Sequence, residues 1–187
     1  MPKITGGSLD AHREQLRQSV FEALASLLAE RSFDAISMAQ LAARAGIGRT
    51  AIYHHFPDKE AVVVAFASHE TEQYVEALNE VLATADSPVE RMRLYVHHHL
   101  VAGEQFHMGM GTQLYGLLSP ESRLAIREHV MEVESVLRAI LADGVASGDF
   151  IVEDPNVTMS LIHACLNPRH LPVEAIEAFV LRALRAG

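Results

Sequence analysis

The sequence predicts an all-α protein: a small three-helix head followed by a longer helical body. Three observations carry that reading. Apolar residues recur at spacings of three and four, no segment sustains a period of two, and proline repeatedly follows a capping residue. Ser87-Pro88, Ser119-Pro120 and Asp154-Pro155 have that form, and Leu171-Pro172 is a weaker version. Proline is tolerated at the first helical position because the amide it lacks has no partner within the helix there. The pattern gives about nine helices, over 10–30, 37–44, 48–54, 58–84, 88–103, 105–117, 120–147, 155–167 and 172–185. The head spans 1–57 and the body 58–187.

In the first helix, Leu16, Val20, Leu24 and Leu27 fall near one side, with Phe21 and Leu28 beside them. Phe33-Asp34-Ala35-Ile36 makes a turn. Ser37-Met38-Ala39-Gln40 then reads as a capping box, with the Ser oxygen capping the helix and the Gln side chain returning the bond. Met38, Leu41 and Ala42 face inward on this short second helix. Ala45-Gly46-Ile47-Gly48 is a tight turn between crossed helices, which needs a residue at positive φ; glycine takes that at least cost. In the third helix Ile52 and Phe56 face the core. Arg49, Thr50, Tyr53 and His54 are left outward. That face is rich in groups that bond phosphates and base edges, as a reader of the DNA major groove must be.

The body is less explicit. The fourth helix carries Val63, Phe66, Tyr74, Leu78 and Val81 near one stripe and is long enough to couple head to body. The fifth has apolar stripes on opposite faces, Met92-Val96-His99-Leu100 and Leu94-His97-Val101, which predicts a helix buried nearly all round. Segment 103–116 holds four glycines and should form the loosest helix. In the last two helices Val157, Leu161 and Ala164, then Ile176, Phe179, Val180 and Ala183, form apolar faces suited to a four-helix contact between two copies.

Composition sets the class. Nearly half of the 187 residues are apolar, enough for a sizeable core, and the single cysteine excludes a disulfide within the chain. The N-terminus lacks the apolar run of a signal peptide and no stretch suits a membrane helix, so a cytoplasmic location is expected. The net charge of −9 is unevenly spread, at +1 over residues 1–59 and −10 over the rest. A DNA-reading head on an acidic body shows that asymmetry. Acids and bases are plentiful, including Glu132, Glu134 and Asp143. No nucleophile–base constellation, glycine-rich phosphate loop or paired metal motif accompanies them, so neither an enzyme nor a bound cofactor is expected. Eight histidines lie in the body, at 69, 97, 98, 99, 107, 129, 163 and 170. They open the alternative of a metal- or haem-sensing regulator. However, His97-His98-His99 points three ways on a helix and no cysteine cluster exists, so no metal ligand set is assigned.

The run Ala42-Ala43-Arg44-Ala45-Gly46-Ile47-Gly48-Arg49-Thr50-Ala51-Ile52-Tyr53-His54-His55-Phe56-Pro57-Asp58-Lys59-Glu60, with Phe33 and Ser37 upstream, resembles the DNA-binding signature of the TetR family of transcriptional regulators. The match covers about a quarter of the chain. Gly48 and Ala51 depart from it, standing where the family often has hydroxyl residues. The resemblance implies a ligand-responsive regulator, a repressor in the first instance, that binds palindromic operator DNA as a homodimer and is released by a small-molecule effector. Ser37, Arg49, Thr50, Tyr53, His54 and Lys59 would then face DNA: Ser37, Tyr53 and Lys59 as phosphate anchors, and Arg49, Thr50 and His54 as base readers. It also implies an effector cavity in the body, for which Phe66, Tyr74, Leu94, His98, Phe106, Met110, Tyr115, Leu118, Val133 and Leu137 are the candidate lining.

Overall fold

The computed structural model describes residues 6–102, 114–166 and 171–185, with side chains from Asp10 onward. Among these residues the chain forms eight α-helices and no strand. They are α1 (Gly6–Glu30), α2 (Met38–Arg44), α3 (Arg49–His55), α4 (Lys59–Leu82), α5 (Pro88–Ala102), α6 (Pro120–Ser147), α7 (Pro155–Cys165) and α8 (Val173–Leu184), with a 3-10 turn at Phe33–Ala35 before α2. The all-α class is as the sequence predicts. Most of the helix expected over 105–117 lies outside the described residues. No helix among them is long and apolar enough to cross a membrane.

The chain divides into two units. Met1–Ser68 and Thr112–Ile126 make the first; His69–Gly111 and Arg127–Gly187 make the second. In the first, α1 buries Val20, Phe21, Leu24 and Leu27, and the other helices contribute Leu41, Ile52, Val62 and Phe66. Phe21 is the centre of an aromatic group, 5.7 Å from the Phe66 ring and 6.3 Å from that of Phe56. Tilted aromatic pairs at this separation add to what their burial contributes.

Both ends of α2 are closed as its sequence demands. The Ser37 hydroxyl accepts the Gln40 amide, and the Ser37 amide donates to the Gln40 side chain at 2.9 Å, completing the capping box. At the other end Gly46 sits at φ +70°, while Ile47 N–H bonds Ala42 O at 3.0 Å and Gly46 N–H bonds Ala43 O at 3.3 Å. Those two bonds satisfy carbonyls that the helix end would leave open, and a left-handed residue is required between them. Asp58 caps α4 through the Ala61 amide at 2.8 Å. Glu60, in the first turn of the same helix, binds the start of α6: it accepts the Ser122 hydroxyl at 2.7 Å and the Ser119 amide at 3.1 Å. These bonds hold its carboxyl below the ordinary range.

The core of the second unit gathers Tyr74, Leu78, Met92, Tyr95, Leu137, Ile140, Met159 and Ile162, closed by Ile176, Val180 and Leu184. The proline-marked starts hold: the Ser87 hydroxyl accepts the Glu90 amide, and an Asp154 carboxylate oxygen accepts the Asn156 and Val157 amides. α5 departs from the expectation of burial all round. Met92, Tyr95 and Val96 are fully buried, but His97 and Val101 stand in solvent, where His97 meets Glu177 at 2.9 Å. The second stripe is covered only in part because a polar partner, not a core, receives it. Phe150 folds back over Gly144, with Asp149 and Phe150 amides both bonded to Gly144 O. A Cβ at Gly144 would collide with the Phe150 ring.

Candidate nucleic-acid interface

α3 is two turns long, and its inward positions are set by Ile52 and, at its end, Phe56, which are 0 % and 3 % exposed. With that face committed, the helical repeat turns Arg49, Thr50, Tyr53 and His54 outward, and all four are exposed. Arg49 takes part in no ion pair among the described residues. Gly48, at the N-cap, supplies no side-chain bond, so the first-turn amides of α3 keep donor capacity that a phosphate can use.

The other cations of this unit differ in how far they are engaged. Arg44 grips Glu30 with both ends of its guanidinium, at 2.7 and 2.9 Å, and also bonds the Ser26 hydroxyl. It therefore ties α2 to α1. Lys59 is half-buried. Its ammonium donates to Phe33 O at 3.0 Å and Ile36 O at 3.3 Å and lies 4.3 Å from the Phe33 ring centroid. Two of its three N–H groups hold the turn that leads into α2, leaving one outward. Ser37 is exposed, with its hydroxyl engaged in the cap. The end of α3 also carries His55, half-buried beside α1. Burial first, then His54, Arg13, Arg17 and His12, hold its pKa below the ordinary histidine value. Sequence reasoning passed over this group, although Arg13 and Arg17, four apart on one helix, were the signal for it.

The candidate cavity residues are spread over both units. In the first, Phe66 and Leu118 are buried and Tyr115 is half-exposed. In the second, Val133 and Leu137 belong to the core with Leu94 packed against it, and the His98 ring lies 5.2 Å from that of Tyr74. Phe106 and Met110 lie outside the described residues. The interior of the second unit is polar at two points whose pairings the sequence did not show. Tyr74 shares a 2.9 Å hydrogen bond with His99 Nδ1, and Tyr95 approaches His163 Nε2 at 3.5 Å. Burial, with smaller contributions from His163 and His98, pushes the His99 pKa down to about 4, and burial raises both phenols. His99 and both phenols are therefore neutral near pH 7. Among the described residues no three His, Cys, Asp or Glu come together in a metal-binding group.

The faces expected between two copies divide. Ile176 and Val180 are buried in the protomer's own core. Val157, Leu161 and Phe179 are 55 %, 63 % and 55 % exposed, and Ala164 and Ala183 stand with them in solvent. Between α7 and α8 runs an apolar groove of about 720 Å³, lined by Leu161, Ala164, Cys165, Phe179 and Ala183 among others.

Comparison with known proteins agrees with this arrangement. Residues 20–66 match the family described as bacterial regulatory proteins, tetR family, and residues 85–170 match the tetracyclin repressor-like C-terminal domain. A fatty acid metabolism regulator protein of Bacillus subtilis is 24% identical over 136 residues, covering 70% of this chain and 68% of that one. The TetR family transcriptional regulator PfmR from Thermus thermophilus is 28% identical in sequence, with a TM-score of 0.69 over 89% of this chain and 99% of that one. The transcriptional regulator FadR from Bacillus subtilis, solved with stearoyl-CoA, shares the fold at a TM-score of 0.73 and 22% identity, over 94% of this chain and 98% of that one. With an N-terminal helix-turn-helix and a C-terminal half that both match the same family, this chain belongs to the TetR family of bacterial transcriptional regulators.

Proposed function

We propose that the protein is a ligand-responsive repressor that binds palindromic operator DNA as a homodimer and releases it when a small molecule occupies the body. The observation that carries this is the outward face of α3, where Arg49, Thr50, Tyr53 and His54 are exposed while Ile52 and Phe56 hold the helix down. Arg49, Thr50 and His54 read base edges, and Tyr53 anchors a phosphate. Ser37 and the remaining N–H of Lys59 add phosphate contacts at the entry to α2. One such helix covers only a few base pairs, so two copies joined through α7 and α8 are needed to span a palindrome.

Release follows from a population shift. An effector that binds better to a form with a different spacing of the two heads lowers operator affinity by its ratio of affinities for the two forms, commonly about 1–3 kcal/mol of coupling. The effector class we propose is an acyl-CoA, on the strength of the fatty acid regulator among the relatives and the stearoyl-CoA complex of a structural neighbour.

A duplex selected by the protein from a random-sequence pool supplies the probe. Arg49→Ala should weaken its binding at fixed salt at least about tenfold, with an unchanged far-UV spectrum and melting temperature. An unaltered affinity refutes the reading role of α3. Adding stearoyl-CoA, then shorter acyl-CoAs, should release the duplex; failure across the series overturns the effector class and leaves DNA binding intact.

A further inference from the structure

Two consecutive residues in the first turn of α4 hold two different parts of the chain. Lys59 donates to Phe33 O and Ile36 O, the carbonyls of the turn before α2. Glu60 accepts, through one carboxylate oxygen, the Ser119 amide and the Ser122 hydroxyl. The Ser119 hydroxyl accepts the Ser122 amide at 3.2 Å, capping α6, and donates to the Ser122 hydroxyl at 3.0 Å. A carboxylate bonded to the amide end of a helix is favoured by charge and by the helix dipole. The start of α6, as far as Ile126, accordingly belongs to the unit of the head. Both helices that leave this unit are weakly built where they leave it. In α4 the division falls after Ser68, whose hydroxyl donates back to Val64 O at 2.9 Å. Such a bond competes for a helical carbonyl and favours bending. Residues 67–70 are only half-buried, between the buried Phe66 and Thr71. In α6 no residue from Ser119 to Glu132 is buried, whereas Val133, Leu137, Ile140 and Leu141 are fixed in the core of the second unit. A helical stretch with few buried contacts opens locally at lower cost than its flanks.

We propose that Glu60 is a positioning residue that makes the start of α6 part of the DNA-reading head, and that this enlarged head turns about joints inside two helices, at Ser68 in α4 and over 127–132 in α6. The inference rests on the ligand-responsive repression proposed above and specifies where its two forms differ. A stiff α4 would carry any movement of the body straight to the head. A joint at Ser68 weakens that lever, so a second link is needed for the body to act on the head. The Glu60 carboxylate supplies it, because it ties the first turn of α6 to the same turn of α4 from which Lys59 holds the approach to α2. Removing the carboxylate leaves the reading face of α3 in place, since Ile52, Phe56 and the Lys59 bonds are untouched. What it removes is the second link, and with it part of the coupling between effector and DNA.

Hydrogen exchange of the full-length protein, followed by mass spectrometry, tests the clasp without an effector. In the free protein, amides over 127–132 should exchange at least about tenfold faster than those over 122–126 on one side and 137–141 on the other. Glu60→Ala should speed exchange over 122–126 at least about fivefold; Glu60→Gln, whose amide oxygen still accepts both bonds, should restore most of the protection. The pool-selected duplex should slow exchange over 122–126 in wild type and in Glu60→Gln but not in Glu60→Ala, whose affinity for that duplex should stay within about threefold of wild type. The loss of affinity caused by stearoyl-CoA should be at least about fivefold smaller in Glu60→Ala. Exchange over 122–126 that ignores Glu60→Ala, or uniform exchange along α6, overturns the clasp, while sensitivity of duplex binding to Arg49→Ala keeps the reading helix. If stearoyl-CoA does not release wild type, the effector class falls and the exchange response to the duplex decides the clasp. If wild type retains no duplex, the repressor reading fails and this inference fails with it.

Discussion

A single hydrogen atom in place of a methyl group shapes the end of α6. Gly144 is inside a helix, where alanine normally stabilises by about 1 kcal/mol. Here the Phe150 ring, 3 % exposed, occupies the space that a Cβ would need, and two amides bonded to Gly144 O fix the backbone that carries the ring. The clash outweighs the propensity gain, because a buried ring cannot swing aside without displacing its neighbours. Gly144→Ala should lower stability by about 1–3 kcal/mol, read as a fall in melting temperature. A gain in stability would show that the ring has room to move. At the same scale, Lys59, proposed as a phosphate anchor, acts chiefly on its own chain. Its bonds to Phe33 O and Ile36 O set the turn from which α2 starts.

Between elements, polar pairs join helices that are otherwise held by apolar contact. Tyr74 on α4 meets His99 on α5, and Tyr95 on α5 meets His163 on α7. These side chains satisfy one another in a low-dielectric interior, where an unmatched polar atom is costly. The same burial makes the pairs acid-sensitive. His99 titrates at about 4 when folded and near 6.5 when unfolded, so the unfolded chain binds the proton more readily. Its contribution is intact above about pH 6.5 and fades as the pH falls toward 4. Thermal melts should accordingly drop between those values, and His99→Gln should flatten the drop while lowering stability near neutrality. An equal acid response in the variant would assign the drop to the carboxylates instead.

At the scale of the whole molecule, what matters is what covers the outer faces of α7 and α8. Leu161 and Phe179 are more than half exposed beside an apolar groove, an arrangement that a second copy would bury. Leu161→Glu should shift the sedimentation of the protein from dimer to monomer. It should also weaken binding to a palindromic duplex at least about tenfold, since each head then binds alone. A variant that remains dimeric would place the contact between copies elsewhere. The proposed repression needs this coupling, because a change inside one protomer alters operator affinity only through the spacing of two heads.

The sequence by itself determined both ends of α2 and the outward face of α3. Each depends on residues within a turn or two of one another: Ser37 with Gln40, Gly46 between Ala42 and Ile47, Ile52 with Phe56. Local steric and hydrogen-bonding rules therefore suffice. The proline-marked starts of α5, α6 and α7 were legible for the same reason. Tertiary structure alone decided which residues of an apolar stripe face inward, separating Ile176 and Val180 from Phe179, and which face of α5 stays wet. It alone brought Glu60 to Ser119 and Ser122, Arg13 and Arg17 to His55, and Tyr74 to His99. Those partners are distant in the chain. Their pairing, and the pKa values it imposes, arise from burial and electrostatic fields that no local pattern encodes.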